Sequence, residues 1–144
     1  GKEWKVIELG PRIGGYRHEM YQMSYGINHI VNDILNRAGE AVEVYTEPIS
    51  NVAVFNIYAR NEGTIEEILG LDKVKLLKSF SSVREVLKVG DEANFAKNNG
   101  DQVLDIVMSN VDAEELYKDI KTMESTISIN VNSKIVSLKP LTSK

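Results

Sequence analysis

Apolar residues follow two different periods along the chain, and the change of period divides it. Met20, Met23, Ile27, Ile30, Val31, Ile34 and Leu35 recur at three- and four-residue intervals, the spacing that lines up one face of a helix. Gly26 interrupts this stripe. A glycine in a helix interior costs about 1 kcal/mol against alanine, so the pattern predicts a short helix near 17–24 and a longer one near 27–38, with Gly39 as the stop. Ahead of them, EWKVIEL (Glu3–Leu9) predicts a strand, and GPRIGGYR, with three glycines and a proline, predicts a loop.

Beyond residue 50 the runs shorten and become β-like. VAVFNIYA (52–59) is rich in β-branched and aromatic residues and is bounded by turn formers, which predicts a strand. Thr64 and Glu67 have capping-box spacing ahead of Ile65, Ile68 and Leu69, which predicts a single helical turn ended by Gly70. KVKLLKSF, REVLKV and VLDIVM predict three further strands, with turns at Gly90-Asp91 and at residues 98–101. A second capping box, Asp112 with Glu115, opens a helix whose buried stripe is Leu116, Ile120 and Met123, and the alternating STISINV comes next as a strand. Segregated elements joined by short turns predict an α+β fold, an antiparallel sheet carrying helices on one face. The polar stretch from Ser133 to Lys144, with Pro140, predicts a mobile tail. The organisation expected is a strand–loop–helix segment over 1–39, an α+β lobe over 40–132 and the tail over 133–144.

Composition narrows the functions available. Of 144 residues 42% are hydrophobic, enough for a core, and 17 Lys and Arg stand against 21 Asp and Glu, for a charge of −4. That balance lacks the basic footprint of a nucleic-acid surface. No apolar run approaches the roughly 20 residues that span a bilayer. The absence of cysteine excludes disulfides and thiolate metal sites and points to a reducing, cytoplasmic setting. A strand entered almost at the first residue is an edge hairpin partner or the mark of a fragment of a longer protein; the fragment is the favoured expectation.

The candidate chemistry lies between Glu8 and Glu19. Glu8 ends the first strand, Arg12 stands in the loop, and Gly14 and Gly15 lead to Arg17, His18 and Glu19 at a helix start. Backbone N–H groups at a helix N-terminus favour an anion, a guanidinium forks onto carboxylate or phosphate, and a carboxylate is a hard-oxygen ligand for Mg²⁺. Read blandly, the same residues are an exposed ion pair beside a glycine turn. His29 is expected on a helix surface, and Tyr16, Tyr25, Met20 and Met23 in core or lobe contacts. No Ser-His-Asp order, nucleophile elbow or GxxxxGK[ST] loop occurs.

ELGPRIGG (Glu8–Gly15) resembles the last metal-and-phosphate motif of the ATP-grasp ligase superfamily, E-x-N-P-R-x-G-G. It is most similar to the group that holds L-amino acid ligases, carbamoyl-phosphate-synthetase-like proteins and biotin carboxylases. Tyr25-Gly26-Ile27 resembles the step that opens the next helix in those ligases, VGDEA is similar to their aGD-x-V turn, and VLDIVMSNVDAEEL to a strand and capped helix near their C-terminus. The resemblance spans about residues 3–131 and is strong over 6–15.

The resemblance implies ATP and Mg²⁺ in the parent protein, a small-molecule substrate and a homodimer, with no nucleic acid or membrane partner. It makes Glu8 the metal-binding carboxylate. Arg12 becomes the residue that contacts phosphate or substrate carboxylate during acyl-phosphate formation, and Gly14 and Gly15 become the glycines whose backbone approaches substrate. Arg17 and His18, just beyond the motif, are candidates for substrate contact, although exposed charges at a helix start need no special role. Gly10 stands where the family has a metal-binding Asn, which leaves one ligand missing. The lobes that hold adenine and triphosphate come earlier in such ligases. The chain is therefore expected to be the C-terminal fragment of an ATP-dependent carboxylate–amine ligase, inactive alone and without a tightly bound cofactor. The alternative is a non-catalytic α+β module for small-molecule binding or oligomerisation, with ELGPRIGG as a structural turn.

Overall fold

The computed structural model describes Lys5, residues 14–42, 44–94 and 100–132, and the backbone of 134–137. The strand expected at Glu3–Leu9 lies outside these residues, as do Glu8, Gly10 and Arg12. The chain forms two compact units, 1–49 and 50–144.

The first unit contains helices α1 (Arg17–Tyr25) and α2 (His29–Arg37). The interruption expected at Gly26 has a local cause. Gly26 takes the left-handed conformation (φ 73°), and its N–H closes α1 by donating to the Gln22 carbonyl at 3.0 Å. Asn28 then starts α2, its side-chain oxygen accepting from the N–H groups of Ile30 and Val31, both at 3.1 Å. Gly39 (φ 76°) stands just past the last turn, as expected. No residue of either helix is buried, and Ile30, Val31 and Ile34 on the apolar stripe are exposed.

The second unit is α+β, and the strands among its described residues pair antiparallel. Strands β1 (Asn51–Tyr58), β5 (Gln102–Asn110) and β3 (Phe80–Glu85) form one sheet in the order β1-β5-β3. The other has the order β4-β2-β6-β7, from β2 (Gly63–Leu69), β4 (Glu92–Ala93), β6 (Ser128–Val131) and β7 (Lys134–Ser137). Helices α3 (Leu71–Val74) and α4 (Ala113–Thr126) complete it. One apolar cluster joins the two sheets and α4, with Ile57, Leu104, Ile106 and Met108 from the first sheet, Ile65, Ile129 and Val131 from the second, and Leu116 and Met123 from α4.

Four expectations for this unit are corrected. Residues 63–69 are a strand and not a helical turn, because β2 bonds between β4 and β6. Thr64 does not cap a helix; its hydroxyl donates to the Glu92 carboxylate. Residues 73–80 are mostly not a strand: the short helix α3 comes after Gly70 (φ 82°), and β3 begins only at Phe80 and ends at Glu85, so most of REVLKV lies past it. Residues 134–137 are not a loose tail but a strand paired with β6. By contrast β1, β5 and the start of α4 fall where the sequence places them, while α4 runs on through Thr126 and leaves β6 only the second half of STISINV. Asp112 accepts from the N–H groups of Glu114 (2.9 Å) and Glu115 (3.3 Å). Only half of the expected capping box closes, since the Asp112 N–H donates to Asn110 Oδ1 while Glu115 pairs with Lys78.

Gly70 is where the backbone leaves no room. A Cβ there would collide with the carbonyl oxygen of Thr126, and φ is positive. Gly70→Ala should therefore destabilise the protein by about 2–4 kcal/mol, read as a lower urea midpoint at unchanged slope.

Candidate functional site

The loop before α1 is described from Gly14 onward. Gly15 is in the left-handed region (φ 35°), and the Arg17 N–H donates to the Gly14 carbonyl at 2.9 Å, so the chain turns sharply into α1. Tyr16 occupies the N-cap position of α1 and makes no side-chain capping hydrogen bond. Backbone N–H groups at the start of a helix are donors suited to an anion.

Arg17 and His18 are exposed at this turn, and Glu19 and Met20 half-buried. The His18 ring Nδ1 lies 3.1 Å from the Gly15 carbonyl and, as donor, ties the imidazole back onto the turn. The structure thus brings Gly14, Gly15, Arg17 and His18 together, while Glu8 and Arg12 lie outside the described residues. Tyr16 and Tyr25 are half-buried. His29 is not the open surface residue expected. It is half-buried at the start of α2, packs edge-on against Tyr21 at 4.6 Å, and its Nε2 is buried with no hydrogen-bond partner among the described residues. Among the described residues no group of three or more His, Asp or Glu side chains could hold a metal ion, and no helix is long and apolar enough to cross a membrane.

In the second unit the Gly90-Asp91 turn closes onto β2. The Gly90 N–H donates to the Ile65 carbonyl at 2.8 Å, and the Ile65 N–H donates to the Asp91 carbonyl at 2.9 Å. Sequence reasoning missed a polar row across the β1-β5-β3 sheet. Asn56, Asp105 and Arg84 stand opposite one another in register. Asp105 is 2% exposed and accepts from Asn56 Nδ2 (2.5 Å) and from Arg84 Nε (2.9 Å) and Nη2 (2.6 Å). One charged residue inside the apolar run VLDIVM is the signal that marks it.

No family model matches the chain, and no curated protein matches it. Solved structures do. The L-amino acid ligase from Bacillus licheniformis superposes on 94% of this chain with a TM-score of 0.71 at 23% identity. Phosphoribosylglycinamide synthetase from Anaerococcus prevotii superposes on 81% with a TM-score of 0.61 at 15% identity. The chain thus has the fold of a part of these two enzymes, and it spans 33% and 30% of their lengths. In this fold the Gly14-Gly15 turn ends the stretch ELGPRIGG and α1 begins at Arg17.

The two glycines should respond differently to a methyl group. A Cβ on Gly14 would meet only the Arg17 side chain at an ordinary 3.5 Å, whereas Gly15 has open space but a positive φ. Gly14→Ala should leave stability within about 0.5 kcal/mol, while Gly15→Ala should cost the turn about 1 kcal/mol. Hydrogen exchange of the α1 amides reads this difference.

Proposed function

We propose that this chain is the C-terminal part of an ATP-dependent carboxylate–amine ligase that works through an acyl-phosphate intermediate. The observation that carries the reading is the match to an L-amino acid ligase structure over 94% of the chain, with ELGPRIGG leading into the start of α1. In the reaction proposed, a substrate carboxylate oxygen takes the γ-phosphoryl group of ATP and ADP leaves. The amine nitrogen then attacks the acyl carbon, phosphate departs, and the amine gives up a proton. Arg12 would fork onto the phosphate or carboxylate as charge grows there. The Gly14-Gly15 turn and the N-terminus of α1 would present backbone N–H groups to the same anion, with Arg17 and His18 at its rim.

When bound, Mg²⁺ would neutralise phosphate charge. Glu8 is the ligand this chain would contribute, and Gly10 in place of Asn removes a second. On this reading the remaining ligands and the adenine-binding lobes would come from the parts of such a ligase that this chain does not span. The proposal includes a cytoplasmic location, a small-molecule substrate and a homodimer.

Two measurements test it. Calorimetry should find no micromolar binding of Mg·ATP to this chain alone, since a solvent-open charge pair gains little by itself. In the complete ligase, Arg12→Ala should lower turnover by about a hundredfold or more. Arg12→Lys, which keeps the charge and loses the fork, should also lose turnover, and Glu8→Gln should weaken the Mg²⁺ dependence. Near-normal turnover of both Arg12 variants would make ELGPRIGG a structural turn and favour the non-catalytic module.

A further inference from the structure

The opposite end of α1 faces a concavity that the ligase reading does not use. A groove of about 590 Å³ opens there, within the size range of small-molecule sites. Tyr25 and Gly26, at the end of α1, line it together with Tyr45, Thr46, Glu47 and Ile49 from the segment after α2. That segment is held in place by its backbone, the Ile49 N–H donating to the Ser24 carbonyl at 2.7 Å. Tyr25 is braced from behind by Tyr21, whose ring lies 6.0 Å away and in turn meets His29.

Three features of the groove favour a positive charge. The C-terminal end of a helix carries partial negative charge, and α1 ends here with no basic residue in its last turn. Glu47 adds a carboxylate to the lining, and none of the described lining residues is a Lys or Arg. Tyr25 and Tyr45 add aromatic rings, which attract cations over their faces. Val44 and Ile49 supply apolar wall beside Thr46, and Ile49 and Tyr45 are 60% and 50% exposed, so an organic body has surface to cover.

We propose that the groove between Tyr25, Tyr45 and Glu47 binds a small organic ammonium ion carrying an apolar or aromatic body. The site is independent of the ligase reading. A nine-residue α1 separates it from the Gly14-Gly15 turn, by about 13 Å at the helical rise.

The test is titration of the full chain with phenethylammonium chloride, monitored through its backbone amide resonances. Phenethyl alcohol and 3-phenylpropionate serve as neutral and anionic probes of similar shape. Phenethylammonium should shift the amides of Gly26, Thr46 and Ile49. The alcohol should bind several-fold more weakly, and the carboxylate should leave these amides in place. Glu47→Gln and Tyr45→Ala should each weaken the ammonium about three- to tenfold, and Tyr45→Phe, which keeps the ring, should not. The amide resonances of α1 and α2 report folding of the first unit in every variant, and Glu47→Gln decides the matter should Tyr45→Ala lose them. The proposal fails if the alcohol matches the ammonium, if Glu47→Gln binds as the parent does, or if no groove amide moves. Turnover of the Arg12 variants is unaffected by any of these outcomes, so the two readings stand or fall separately.

Discussion

The pairing of β5 with β1 on one edge and β3 on the other is the constraint on which the second unit depends. Residues 102–108 of β5 are buried without a break. Leu104, Ile106 and Met108 enter the common core. Asp105 does not join that cluster; it is buried and charged, and burial of an unpaired carboxylate would cost several kcal/mol. It is tolerated because Asn56 and Arg84 stand opposite it and donate to it. Slipping β1 by one residue would put Phe55 or Ile57 there, and slipping β3 would put Val83 or Glu85. The carboxylate thus penalises wrong registers on both edges, a role that apolar packing alone performs less sharply.

A smaller polar centre anchors the chain on leaving β5. The buried Asp119 of α4 accepts from the Ser79 N–H at 2.9 Å, Asn110 donates to the Ser79 hydroxyl at 3.0 Å, and the Ser109 N–H donates to the Ser79 carbonyl at 2.7 Å. The start of β3, the end of β5 and the middle of α4 therefore meet at one residue. With α4 set by this contact and by Leu116 and Met123, β6 leaves the helix beside β2, and the second sheet shares the core of the first.

The first unit is organised differently. None of its described residues is buried, and its two nine-residue helices are shorter than helices that persist alone in water. They owe their boundaries to local devices: the left-handed Gly26, the Asn28 cap and the glycine turn at α1. The described part of this unit contributes no buried core, and the chain as a whole spans a third of the L-amino acid ligase whose fold it shares.

How much of this was legible depended on whether the deciding force was local. The α1–α2 break, α4 with its Asp112 cap, β1, β5 and the α+β class could be read from the chain, because glycine dihedrals, side-chain caps and uninterrupted β-branched runs act within a few residues. The motif ELGPRIGG carried the ATP-grasp resemblance by itself. The tertiary structure alone decided residues 63–80. A bulge between Ile65 and Glu67 turns Glu66 and Glu67 outward together. The apolar spacing of Ile65 and Ile68 then imitates a helix in a segment that strand pairing holds extended. β7 is likewise fixed by its partner β6, which pairs a run of only four residues, Lys134–Ser137, set in a polar stretch. The Asn56–Asp105–Arg84 row joins three residues far apart in sequence, and only the sheet register brings them together.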